Sequence, residues 1–165
     1  MRLISLVLLI FAVSVSRAQT TVILVRHAEK VQDGSEDPGL TEEGSDRAQE
    51  LVRVLAESEI DDVYTTPFKR TRKTVEPLAT HFGLELKEYN PFDLPKIVEK
   101  IKSTDKRTMV FSGHSNTTPI LINLLLGEEK YKQLNDKDYD NLYIVTLNEG
   151  KSSVIQVAFG TKSVF

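Results

Sequence analysis

From Leu3 to Val15 the chain is almost wholly apolar, and beyond Ala18 it changes to short apolar runs divided by polar stretches that carry Gly and Pro. Thr21 to Val25 is a β-rich apolar run that suits a strand buried on both faces of an α/β sheet, and it ends at Arg26-His27. Asp33-Gly34, Ser35 and Pro38-Gly39 make Val31 to Gly39 a surface loop. A helix then opens at Leu40-Thr41-Glu42-Glu43-Gly44, with Thr41 as N-cap and two carboxylates in the first turn. Ala48, Leu51, Val52 and Leu55 recur on one face of it.

Asp62 to Thr65 reads as a short strand, and Pro67 leads into a second helix from Phe68 to Thr80, which Pro77 is expected to kink or shorten. Gly83 is a stop, Leu84 to Tyr89 a strand, and Asp93 an N-cap for an amphipathic helix through Ile97, Val98 and Ile101. Thr108 to Ser112 is a further strand that ends at Gly113-His114; Pro119 suits the first turn of the helix Ile120 to Leu126, and Gly127 closes it. Asn141 to Leu147 and Ser153 to Phe159 form a terminal hairpin around Asn148-Glu149-Gly150. Alternating strands and helices with an antiparallel finish predict an α/β fold: a three-layer sandwich, with a mostly parallel mixed sheet and helices on both faces. Ligands bind such sheets beyond the carboxyl ends of the strands, where His27 and His114 both lie.

Composition changes this picture at the N-terminus and in the choice of partner. Arg2, the apolar run and Ser16-Arg17-Ala18 have the order of a secretory signal peptide, with a run too short for a spanning helix. The expected division is a signal peptide over 1–18 and one domain over 19–165, exported to a periplasmic or extracellular space and with no stable membrane association once cleaved. There is no Cys, so export here implies no disulfide framework. A formal charge of −3 makes nucleic acid and anionic membranes poor partners.

Transfer of a phosphoryl group needs a nucleophile, cationic donors for the equatorial oxygens and a proton for the leaving oxygen. His27 is a candidate nucleophile, because a neutral imidazole nitrogen can attack phosphorus while a backbone carbonyl holds the other nitrogen, and nearby cations oppose its protonation. Arg26 and Arg70 are natural phosphate clamps. His114, when protonated, adds a charged donor, and the turn Gly113 to Asn116 before a helix offers backbone N–H groups, with Asn116 as a further phosphate contact. Taken singly, each residue has a bland reading: a histidine after an apolar strand is more often structural, and Arg70 among Lys69, Arg72 and Lys73 looks like a solvated face.

Four elements in order resemble the histidine phosphatase superfamily, which includes phosphoglycerate mutases and many acid phosphatases. They are Arg26-His27 after a strand, Leu40-Thr41-x-x-Gly44-x-x-x-Ala48, Thr66-Pro67-Phe68-Lys69-Arg70-Thr71-x-x-Thr74, and Gly113-His114-Ser115-Asn116. The resemblance implies a phosphoglycerate mutase-like fold, phosphorylation of His27, Arg70 as second phosphate-binding arginine and His114 as second catalytic histidine. It also implies a carboxylate acid after the second arginine. Asp93, near where a loop can fold over the site, is taken first; Glu88, in Leu86-Lys87-Glu88, matches the local pattern and is the alternative. His81 is assigned no catalytic role.

The expected activity is hydrolysis of phosphate monoesters, or of phosphohistidine, in a small molecule or phosphoprotein, with no cofactor and no metal. The alternatives are a non-catalytic phosphate-binding module of the same fold and a mutase-like phosphotransferase. Paired arginines argue against a cation between the histidines.

Overall fold

A computed structural model describes residues 19–148 and 151–163. The expected signal peptide lies outside these residues, as do Glu149 and Gly150 of the terminal turn. The elements are β1 (Thr20–Arg26), α1 (Glu42–Leu55), β2 (Asp62–Thr65), α2 (Lys69–Phe82), β3 (Leu86–Glu88), α3 (Leu94–Lys102), β4 (Thr108–Gly113), α4 (Thr117–Leu126), β5 (Asn141–Asn148) and β6 (Lys151–Ala158). They build one six-stranded sheet in the order β3-β2-β4-β1-β5-β6. The β2–β3, β2–β4 and β1–β4 pairs are parallel, and β5 and β6 add antiparallel.

Alternation along β1 explains why its run is apolar throughout. Val22 and Leu24 join Met109, Phe111 and Tyr143 under Leu94, Ile97 and Ile101 of α3 and Leu121, Ile122 and Leu125 of α4. Ile23 and Val25 join Val63 and Val110 under Leu51 and Leu55 of α1 and Val75 and Leu78 of α2. A strand covered by helices on both sides has no solvent face on which polar residues are useful. With β1 and β4 side by side and parallel, Arg26 pairs in register with Gly113, and His27 and His114 leave the same edge of the sheet.

The structure corrects several boundaries. α2 runs through Pro77 to Phe82 rather than stopping at Thr80. Proline deprives Lys73 of its carbonyl partner, but Lys73 lies on the exposed side, where water can serve that carbonyl, while Val75, Leu78 and Ala79 keep the helix on the core. β3 is shorter than expected, three residues instead of six, because it is the sheet edge and pairs only with β2. α4 begins at Thr117, three residues earlier than read, so Pro119 still lies in the first turn. Asp93 stands at the N-cap of α3 but makes no side-chain capping bond. Thr41 does cap α1, accepting from the Gly44 N–H at 3.0 Å.

Candidate active site

His27 begins where β1 ends. Its backbone N–H donates to the Gly113 carbonyl at 2.9 Å, which carries the β1–β4 ladder one residue beyond the strand. The ring is buried, and Nδ1–H donates to the Ala28 carbonyl at 2.8 Å. That leaves the lone pair on Nε2. Ala28 is held in turn from α2: its N–H donates to Thr74 Oγ1 at 2.9 Å, and the Thr74 hydroxyl donates to the Arg70 carbonyl at 2.7 Å. The threonine four residues after Arg70 therefore ties the nucleophile segment to the helix that carries the second arginine.

His114 faces His27 edge-on, with ring centroids 5.6 Å apart. Arg70 Nη2, which can only donate, is 3.5 Å from His114 Nδ1, so Nδ1 is the acceptor and the proton is on Nε2. That proton is donated to Thr66 Oγ1 at 3.0 Å, the Thr66 hydroxyl donates to Thr71 Oγ1 at 2.8 Å, and the Thr71 hydroxyl donates to the Phe68 carbonyl at 2.8 Å. The chain of hydroxyls fixes one tautomer and one ring orientation. Gly113 is required just before His114 because a Cβ there would lie 2.7 Å from Thr118 Oγ1 and 3.0 Å from the Tyr89 hydroxyl.

The two arginines share a pattern. Arg26 is buried; its Nη1 donates to the carbonyls of Asn135 at 2.7 Å and Asp138 at 3.0 Å, and its guanidinium lies 4.2 Å from the Tyr139 ring centroid. Arg70 has Nη1 at 3.7 Å from Asp37 Oδ1 and its guanidinium 4.6 Å from the Phe68 ring centroid. In both, Nε is buried and has no partner among the described residues. Nε and Nη2 point the same way from a guanidinium, and Arg47 shows that edge in use, gripping Glu29 with Nε at 3.0 Å and Nη2 at 2.6 Å from Oε1. Arg26 is thus tied by hydrogen bonds at Nη1, whereas Arg70 has Nη1 in ion-pair range of Asp37 and Nη2 against His114; both keep an unpartnered Nε, and an Nε/Nη2 edge fits two oxygens of a tetrahedral anion.

Electrostatics follow from burial among these cations. The pKa of His27 is lowered to about 3, chiefly by desolvation and then by Arg26, His114 and Arg70, against an opposing contribution from the Ala28 carbonyl. That of His114 is lowered to about 4 by burial and the charges of Arg70 and Arg26. Burial also lowers both arginines from the ordinary value, and Asp37 opposes this at Arg70. Flanking cations do keep His27 neutral, as the sequence suggests, but burial is the larger cause. His114 is likewise neutral in the free site, so a charged donor role requires that an anion draw a proton onto it.

His27, His114, Arg26 and Arg70 are brought together; the other sequence candidates are not. Glu88 pairs with Arg72 on the edge strand β3, three strand spacings or about 14 Å from β1. Asp93 is exposed at the start of α3 and touches none of the four. Asn116 is exposed and makes no side-chain capping bond; Thr117 instead accepts the His114 N–H at 3.0 Å. His81 sits at the end of α2 against Phe82. Among the described residues no carboxylate bonds to either histidine, and no group of three His, Cys, Asp or Glu is arranged to hold a metal. Tyr139 and Asp37, which sequence reasoning did not single out, lie in loops without periodicity. A cavity of about 410 Å³ opens beside Arg26, lined by Lys30, Gln32, Ser35, Asp136 and Tyr139 among others.

A mixed sheet carrying paired histidines and paired arginines beyond the carboxyl ends of its parallel strands points to a class that the comparisons also find: the family model for branch 1 of the histidine phosphatase superfamily matches residues 22–92, and the chain is similar to that superfamily over this span. A phosphoserine phosphatase 1 of Hydrogenobacter thermophilus is 37% identical over 71 residues, 39% of this chain and 34% of that protein, so the match spans about a third of the relative's length. Solved structures share the fold. The protein histidine phosphatase SixA complexed with tungstate superposes with a TM-score of 0.67 at 18% identity, covering 84% of this chain and 96% of that one. A phosphoserine phosphatase from Entamoeba histolytica, in complex with 3-phosphoglyceric acid, gives a TM-score of 0.65 at 16% identity, covering 87% and 98%.

Proposed function

We propose that the protein is a metal-independent phosphatase that hydrolyses phosphate monoesters or phosphohistidine through a phosphohistidine intermediate on His27. The observation that carries this reading is the pair of buried, unpartnered Nε donors on Arg26 and Arg70, whose charges both act on a neutral imidazole with Nδ1 already engaged. The Nε2 lone pair of His27 forms a P–N bond as the bond from phosphorus to the leaving atom breaks, and that atom keeps the bonding pair. Water then adds to phosphorus, the P–N pair returns to Nε2, and inorganic phosphate departs. Charge on the equatorial oxygens is met by the two guanidinium edges, and by His114 once the bound dianion draws a proton onto Nδ1.

With no carboxylate among the described residues bonded to the histidines, the leaving group takes its proton from water or departs as an anion. This favours aryl phosphates and phosphoramidates such as phosphohistidine over alkyl esters, whose leaving oxygens are far more basic. The N-terminal apolar segment supports an exported protein, and sequencing the mature N-terminus after secretion would find Gln19 first.

The test is turnover of an aryl phosphate with labelled phosphorus, quenched in alkali, where phosphohistidine survives. Wild type should turn over and carry label in the presence of excess chelator; His27→Ala should do neither. Wild-type activity in His27→Ala would defeat the mechanism. Stabilisation by vanadate without any turnover would favour an anion-binding module of the same fold.

A further inference from the structure

The ties that aim the two arginines differ in kind. Arg26 Nη1 is held by backbone carbonyls of the segment before β5, whereas Nη1 of Arg70 faces one side chain, Asp37, at 3.7 Å in the loop that also lines the cavity. Asp37 is itself fixed: the backbone N–H of Lys69 donates to its Oδ1 at 2.9 Å and lies 3.3 Å from its Oδ2. Lys69 is the first residue of α2, and Phe68 at the N-cap supplies no side-chain bond, so Asp37 caps this helix from a distant loop. Arg70 is the next residue. The Phe68 ring centroid lies 4.6 Å from its guanidinium, and the Asp37 carboxylate lies 3.7 Å from its Nη1.

We propose that Asp37 is a positioning residue that holds Nη1 of Arg70 and thereby turns the Nε/Nη2 edge of that arginine toward the phosphoryl group. The proposal rests on the phosphatase reading for its kinetic consequence, but not for its effect on anion binding. Asp37 acts through Arg70 and touches no reacting atom. It also couples the loop over residues 31–39, one wall of the cavity, to the phosphate clamp.

The experiment is a double-mutant cycle on the full chain with Asp37→Ala and Arg70→Ala, plus Asp37→Asn, measured as kcat/KM for an aryl phosphate and as Kd for vanadate from thermal shift. Misorienting one clamp should lower kcat/KM by about tenfold and weaken vanadate similarly. Asp37→Asn, whose amide oxygen can accept from both Lys69 and Arg70, should recover to within about threefold of wild type. In the Arg70→Ala background, Asp37→Ala should cost nothing further in either readout, whereas loss of the α2 cap would cost the same in both. An equal cost in both backgrounds overturns the proposal, as does tighter vanadate binding by Asp37→Ala, the result of simply removing a negative charge. If wild type binds vanadate but turns over nothing, the phosphatase reading fails and the vanadate cycle alone decides the role of Asp37.

Discussion

Holding two neutral histidines 5.6 Å apart among arginines, His27 buried and His114 half-buried, makes the fold sensitive to acid. In the unfolded chain each has the ordinary value near 6.5, so it is about one quarter protonated at pH 7 and almost fully so at pH 5. In the folded protein the values lie at about 3 for His27 and about 4 for His114, and both rings stay essentially neutral over that interval. Only the unfolded state takes up protons, so stability is fully present above pH 6.5 and is lost as the pH falls toward 4. Integrated from pH 7 to pH 5, each histidine costs about 2 kcal/mol, or about 4 kcal/mol for the pair. Urea unfolding of wild type, His27→Gln, His114→Gln and the double variant at both pH values measures it. Each single variant should be about 2 kcal/mol less pH-dependent than wild type. If the double variant loses as much stability on acidification as wild type, the histidines are not held neutral and the electrostatic account of the site is wrong.

Three further outcomes test the surrounding framework. Gly44→Ala should destabilise by about 1–3 kcal/mol in urea, because a Cβ there would lie 2.3 Å from the Glu29 carbonyl oxygen and push the segment after His27. Arg47→Met should cost about 3 kcal/mol or more in the same assay, since it leaves the Glu29 carboxylate, 12% exposed, without its ion pair and frees the carbonyls of Phe159 and Thr161. Glu88→Gln and Asp93→Asn should each keep kcat for an aryl phosphate within about twofold of wild type; a drop of about a hundredfold in either would mark it as the acid and require the β3–α3 region to close over the site.

What could be read without coordinates followed the periodicity of burial. β1 is apolar because both its faces are covered, α1 and α2 carry apolar stripes because one side packs, and Gly83 and Gly127 end α2 and α4 in the left-handed conformation that glycine adopts freely. His27, Arg26, Arg70 and His114 were legible because each sits at a fixed offset from such an element. The carboxylates named as candidate acids do not contact the histidines for the complementary reason. A carboxylate near a strand end is common, and whether it faces a histidine three strands away depends on sheet order, which pattern does not encode: β3 lies at the far edge, and Glu88 points its charge at Arg72.

The same limit hid the residues that make the arginines useful. Two guanidinium groups in a phosphate site would be indifferent point charges if each could rotate to its nearest oxygen. What converts them into two aimed edges is a second set of contacts: the carbonyls of Asn135 and Asp138 and the ring of Tyr139 for Arg26, and the carboxylate of Asp37 and the ring of Phe68 for Arg70. Three of these five contacts come from the segment between α4 and β5, one from the loop after β1 and one from the residue before α2. None is periodic, and none belongs to the element that bears its arginine. An aspartate on a glycine-bearing loop therefore reads as ordinary surface until the fold sets it, half-buried, against Lys69 and Arg70, where it gains a helix end to anchor it and a cation to aim.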